Sequence, residues 1–197
     1  MDLLVGLNKG QSEAFNLLTE FIDDRYDDSM FVLRGFAGTG KTYLVNRIIR
    51  YVRSKHPNYK IALTAPTNKA VKVIKRAGQI KPDSKIEFQT VHKLLGLTEE
   101  ITKDGEQIFT RKERSRNLIT NYKVLVIDEV SMLDDSLFEE IEPYRESIKL
   151  IFMGDPAQIP PVNRRTASRS GTPRRRSTSS KSSSLVRSCG RDWTIPS

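Results

Sequence analysis

The sequence predicts an α/β fold, a parallel sheet covered by helices on both faces. Three observations carry this. Short apolar runs without polar alternation, at 31–33, 61–63, 124–127 and 150–153, read as strands buried on both sides. Amphipathic stretches with apolar residues at helical spacing stand between them, and strands alternating with helices build parallel sheets through crossovers. The length of 197 residues suits one domain of about 150 residues and a remainder, not two such domains.

The elements follow in order. Ala14, Phe15, Leu18, Phe21 and Ile22 recur at helical spacing and place a helix over 9–23. Asp23, Asp24, Asp27 and Asp28 make an acidic turn before the first strand, 31–33. A glycine-rich loop leads into a helix with the apolar face Leu44, Val45, Ile48, Ile49 and Val52, a strand, loop and helix unit. After the strand 61–63 and the loop 64–67, a further helix is expected to bury Ala70, Val71, Val73, Ile74 and Ala77. Residues 99–112 break the rhythm. Asp104-Gly105 stands between two short runs with β-branched or aromatic residues, and this dipeptide favours a hairpin turn because both positions accept positive φ. A small β-hairpin inserted at about 98–116 is therefore expected. The strands 124–127 and 150–153 flank a helix around 136–144.

Charge divides the chain at residue 162. Of the net charge of +9, +8 lies in 163–197, which holds eight Arg and one Lys against the single acid Asp192. A basic chain suggests an anionic partner, but residues 1–162 are nearly neutral. The only cysteine, Cys189, and the only tryptophan, Trp193, also lie in the second part. One cysteine forms no intrachain disulfide and no zinc spacing is present, which fits a reducing compartment. No apolar run approaches the ~18 residues of a membrane helix, and MDLLVGLNKG lacks the pattern of a secretion signal. The expectation is a cytoplasmic protein without membrane contact, in the host cytoplasm for a viral chain. Residues 163–197, rich in Arg and Ser with no apolar period, are expected to be disordered because they bury too little to offset ordering entropy.

The chemistry concentrates in two places. GFAGTGKT, from Gly35 through Ala37, Gly38, Thr39, Gly40 and Lys41 to Thr42, fits the phosphate-loop pattern between a strand and a helix. Backbone amides and the helix N-terminus favour phosphate there. Lys41 suits the β- and γ-phosphates, and the Thr42 hydroxyl suits Mg2+. The strand 124–127 ends in Asp128 and Glu129 at the carboxyl edge, where open α/β sheets bind nucleotides. Asp128 is the expected Mg2+ carboxylate, and Glu129 the base that orients and deprotonates water. Without a phosphate loop the pair reads as a solvated acidic turn.

Taken in order, Gln11 in NKGQSEAF, GFAGTGKT, TAPTNKAV, TVHKLLG, VLVIDEVSML and GDPAQIPPV resemble successive motifs of superfamily 1 DNA helicases. The likeness is strongest to the RecD and Dda-type branch, which moves 5′ to 3′ on single-stranded DNA. It covers 11–162 and implies a RecA-like P-loop NTPase domain that takes ATP with Mg2+.

The resemblance also assigns roles. Gln11 would recognise adenine, although Asn8 three residues earlier equally suits it to a helix capping box. Gln158 would sense the γ-phosphate, supported by Asp155. Pro66, Thr67, Asn68 and Lys69, at a helix N-terminus, suit a DNA phosphate. Thr90 and His92 match a second DNA-contact motif, with a hydrogen-bonded helix-end histidine as the plain reading of His92. The hairpin resembles the pin that meets a duplex junction in Dda-type enzymes. Its aromatic Phe109 either stacks on a base, worth ~1–3 kcal/mol, or packs the hairpin onto the domain. Lys103, Arg111, Lys112, Arg114 and Arg116 either track phosphates or form a solvated loop with Glu99, Glu100, Asp104, Glu106 and Glu113.

Family enzymes close the ATP site with a second RecA-like domain that supplies arginines, and here the resemblance ends at Val162. The expectation is an ATP-binding first domain of a DNA helicase, weak in turnover alone. Its expected partners are single-stranded DNA, a duplex junction and replication or recombination proteins. The abrupt change at Asn163 suits an out-of-frame reading of a longer gene, or a native tail that binds nucleic acid. The alternative function is a nucleotide-dependent interaction module docked through that basic tail.

Overall fold

The computed structural model describes residues 3–24, 30–77, 83–101, 107–111, 117–155 and 191–195. Helix α1 (Lys9–Asp23) precedes β1 (Met30–Arg34), α2 (Lys41–Lys55), β2 (Ile61–Ala65) and α3 (Asn68–Ala77). Then come β3 (Ile86–Thr90), the single turn α4 (Val91–Leu94), β4 (Leu97–Ile101), β5 (Gln107–Arg111) and β6 (Val124–Ile127). Helix α5 (Asp135–Ile141), β7 (Lys149–Gly154) and β8 (Arg191–Thr194) complete the described chain. Short 3-10 turns flank β6 and α5 at Ile119–Asn121, Val130–Met132 and Glu142–Tyr144.

Six strands form one sheet in the order β3-β2-β6-β7-β1-β8, and every pairing in it is parallel. Alternate residues of each strand feed two cores. Phe31, Leu33, Ile61, Leu63, Val126, Ile151 and Met153 meet α1, α2 and α3 on one face. Met30, Val32, Ala62, Leu125, Ile127, Leu150 and Phe152 meet α4, α5 and the 3-10 turns on the other. Burial on both faces explains why these strands read as continuous apolar runs. The hairpin β4–β5 is antiparallel, with Glu99 opposite Phe109, and forms its own two-stranded sheet; its turn lies outside the described residues.

Three sequence expectations change. Val73 is 56% exposed on α3 and is not part of the core. Strand β3 went unread because it alternates polar and apolar residues at a sheet edge, with only Gln89 fully buried. The expectation of disorder across 163–197 fails for 191–195. This short segment pairs with β1, and Ile195 is 1% exposed in the core formed with α1 and α2. The Arg/Ser-rich stretch up to residue 190 lies outside the described residues, as does the division of the chain at residue 162.

Candidate functional site

Because the sheet is parallel, its carboxyl edge collects the segments singled out by sequence. The glycine-rich loop follows β1, Pro66 and Thr67 follow β2, Thr90 ends β3, Asp128 and Glu129 follow β6, and Asp155 follows β7. Loops at this edge of an open α/β sheet form its ligand crevice.

The phosphate-loop segment is held at both ends. At its root the Gly35 amide donates to the Gly154 carbonyl, 3.2 Å. Gly38 and Gly40 have φ of 82° and 85°, a region that costs other L-residues roughly 1–2 kcal/mol. Gly40 also lies so close to α1 that an added Cβ would sit 2.5 Å from Gln11 Nε2. Gly40 is the N-cap of α2 and provides no side-chain cap, so the amides of the helix start stay available to a ligand. Lys41 Nζ donates to the Gly35 and Phe36 carbonyls along the loop.

Gln11 joins two structures. With Asn8 it forms a complete capping box: the Gln11 amide donates to Asn8 Oδ1 at 2.8 Å, and the Asn8 amide to Gln11 Oε1 at 3.1 Å. Its Nε2 simultaneously donates to the Thr39 carbonyl at 2.9 Å. The helix cap therefore presents the glutamine amide to the phosphate loop.

Asp128 is held by the Thr64 carbonyl, which accepts from its amide at 2.9 Å, while its Oδ1 accepts from the Glu129 amide at 2.9 Å. Burial pushes its carboxyl above the ordinary range, against the opposing pull of that hydrogen bond and of nearby Lys41. Burial and then Asp128 push Glu129 up as well, and Lys69 partly offsets them. Glu129 has φ 53°, a left-handed conformation rare for a side-chain-bearing residue. Sequence reading missed this strained backbone and the electrostatic link from Glu129 to Lys69 at the start of α3. Neither leaves a one-dimensional signal.

The segments with expected DNA roles have local structure as well. Thr67 caps α3, its Oγ1 accepting from the Ala70 amide at 3.2 Å, and leaves Asn68 and Lys69 exposed. Thr90 caps α4 in the same way, accepting from the Lys93 amide at 3.2 Å. The His92 and Phe109 rings stack with centroids 3.7 Å apart and planes 23° apart. That contact ties the hairpin to α4, yet Phe109 stays 41% exposed. Phe109 therefore packs the hairpin onto the domain through His92 while keeping part of its surface exposed. Arg111 anchors the hairpin further, donating to Glu140 at 2.7 Å and to the Leu95 carbonyl at 3.3 Å. Gln158 lies outside the described residues, as do Lys103, Asp104, Glu106, Lys112, Glu113, Arg114 and Arg116. Among the described residues no helix is long and apolar enough to cross a membrane.

The family model described as AAA domain matches residues 19–164. Among curated proteins, an uncharacterized protein of Acanthamoeba polyphaga mimivirus is 37% identical over 166 residues, covering 79% of this chain and 33% of that protein. The ATP-dependent DNA helicase PIF1 of Emericella nidulans is 34% identical over 142 residues, 65% of this chain and 17% of the relative. The RecBCD enzyme subunit RecD of a Buchnera aphidicola strain is 32% identical over 149 residues, 68% and 23% of the two chains. This chain thus spans at most a third of these relatives' lengths. Among solved structures, the Pif1 helicase from Candida albicans superposes with a TM-score of 0.55 at 23% identity, covering 97% of this chain and 40% of that one, which supports the RecA-like P-loop fold.

Proposed function

The chain belongs to the AAA domain family, on the branch it shares with the RecD and PIF1 helicases, and from that premise we propose that it is the ATP-binding first domain of a 5′ to 3′ DNA helicase. One observation carries this reading: the phosphate loop, the Asp128–Glu129 pair and both candidate DNA segments meet at one edge of one parallel sheet.

The chemistry follows from the residues. Loop amides at the start of α2 hold the phosphates, and Lys41 exchanges its bonds to the Gly35 and Phe36 carbonyls for phosphate oxygens. Gln11, fixed by its capping box beside Gly40, reads the adenine edge. Thr42 and Asp128 would hold Mg2+; a hydroxyl and a buried carboxylate are the oxygen donors this ion takes, and Lys41 and the helix start bring positive potential alongside. Bound there, the ion would neutralise charge on the phosphate oxygens. Glu129 accepts the proton of the attacking water, and its raised pKa suits it to hold that proton. Gln158 senses the γ-phosphate. Lys69 faces Glu129 electrostatically from the helix whose N-terminus is proposed to seat a DNA phosphate, so strand binding and water activation share one charge neighbourhood. Thr90, His92 and Phe109 continue the DNA track towards a duplex junction.

Calorimetry on the pure chain tests the nucleotide site. MgATP should bind, and Lys41→Ala should weaken it by roughly 10- to 100-fold, the worth of a hydrogen bond to a charged group, with an unchanged melting temperature. Equal affinity in both proteins would overturn the assignment. The concentration of +8 in 163–197 favours a second reading, a nucleotide-dependent module docked through its basic segment. Single-stranded DNA affinity that is insensitive to nucleotide and steeply salt-dependent would select it.

A further inference from the structure

The segment 191–195 belongs to none of the motifs above, yet it touches the root of the phosphate loop. Strand β8 pairs with β1 from Phe31 opposite Arg191 to Arg34 opposite Thr194, covering the edge of β1 that faces away from β7. The next residue, Ile195, donates its amide to the Arg34 carbonyl at 2.8 Å. Arg34 ends β1 and Gly35 opens the loop. On the other side the Gly35 amide is tied to Gly154 at the end of β7. The root of the loop is therefore clamped between two strands.

The Ile195 side chain completes the contact. It is almost fully buried, and a Cβ built on Gly35 would lie 3.5 Å from its own Cβ. A loop that must present several amides to one phosphate chain loses affinity if it has to be ordered at the moment of binding, and anchoring its root in advance removes part of that cost. Such coupling is reciprocal, so a ligand that orders the loop also favours docking of the strand.

We propose that 191–195 is a positioning strand for nucleotide phosphates, with Ile195 its principal residue: strand docking and phosphate binding stabilise each other. This rests on residues 35–42 being a nucleotide phosphate loop. Trp193, the only tryptophan of the chain, lies opposite Leu33 and packs against the same core, so its emission reports docking directly.

The test uses the 1–197 chain and the variants Ile195→Asp, Ile195→Ala and Ile195→Val. A charge at 195 escapes burial by releasing the strand, which shifts Trp193 emission to longer wavelength. Calorimetry should then show MgADP affinity lower by about tenfold, within the usual span of coupling energies. Adenosine, which lacks phosphates, should bind the variant and the parent equally, an outcome a general loss of stability would not give. Ile195→Val should restore both signals, and Ile195→Ala should fall between, replacing Ile195→Asp if that variant does not fold. In the absence of nucleotide, amide exchange over 35–40 should be faster in Ile195→Asp. Released tryptophan emission with parental MgADP affinity and parental exchange would overturn the proposal. If the parent itself binds no MgADP, the phosphate-loop reading falls. The exchange measurement then still decides whether the strand orders the loop.

Discussion

Asp128 shows how burial at the proposed site costs a single residue stability. Its carboxyl is raised above the ordinary 3.8, with burial as the main cause. The folded protein thus holds this proton more tightly than the unfolded chain, and stability falls as the pH climbs from 3.8 through the folded pKa. Above that pH the ionised group is a standing cost. Asp128→Asn removes the charge and keeps an oxygen to accept from the Glu129 amide. It should therefore raise the melting temperature at pH 7, and the gain should shrink as the pH is lowered towards 4. The same variant should lose the extra stabilisation that MgATP gives the parent, because the proposed Mg2+ carboxylate is gone. Melting curves at the two pH values, with and without MgATP, check both halves. A variant less stable than the parent at pH 7 would show that Asp128 is held by bonds stronger than its burial cost. Glu129 belongs to the same balance. Its left-handed φ of 53° is local strain of the kind found at functional sites, and no sequence pattern announced it.

Among the elements, the α1–α2 pair covers one face of the sheet and meets the loop directly, through Gln11 and the start of α2. Both helices are legible from the spacing of their buried residues, and the predicted bounds of α1 agree with the structure. What spacing does not reveal is the bond between their C-termini. Asp23 accepts from Tyr51 Oη at 2.6 Å and from Lys55, and pairs with His56 Nε2 at 2.8 Å. Burial alone would raise its carboxyl, but the bonds from Lys55, Tyr51 and His56 outweigh it and hold the group below its ordinary value. The stability this contributes is present above 3.8 and is lost as the pH falls through the folded pKa. Asp23→Ala should cost about 1–2 kcal/mol at pH 7, the worth of charged hydrogen bonds reduced for partial exposure. Urea denaturation at pH 7 and at the acid limit checks it: the difference should disappear in acid, and a cost that persists there would assign the effect to packing. The edge strands were the least legible. Strand β3 lies at the sheet edge, with Ile86 and Phe88 only half-buried and the polar Gln89 its one buried residue, and hence has a mixed pattern. Strand β8 is four residues whose case rests on a partner edge and on Ile195, neither visible in a segment read by composition. Val73 failed in the opposite sense, since helical spacing marks a stripe but not its width, and this residue falls outside the covered part.

For the whole molecule, the sequence motifs located the site because a parallel sheet gathers the ends of its strands. Five widely separated segments became neighbours with no information beyond strand order. Net charge was a poorer guide, since most of the +9 lies outside the sheet-forming motifs, and the case for DNA rests on placed side chains. The arrangement also sets what 1–197 should do in isolation. The described site offers a phosphate loop, a carboxylate pair and one wall of a proposed DNA track. The resemblance to superfamily 1 helicases implies that a second domain would complete the cleft with arginines, and an arginine positioned on the transferred phosphate contributes ~10³–10⁵ in rate in related reactions. Net positive charge alone does not supply this effect, because it depends on a donor fixed in place on the phosphate. The pure chain should accordingly bind MgATP, hydrolyse it slowly with at most a few-fold stimulation by single-stranded DNA, and leave a forked duplex intact. Phosphate release and strand-separation assays on the same preparation read both. Robust DNA-stimulated hydrolysis that disappears in Lys41→Ala would mean that this chain assembles a complete cleft, and an oligomer in which one copy supplies the missing arginine to the next would then be the arrangement to look for.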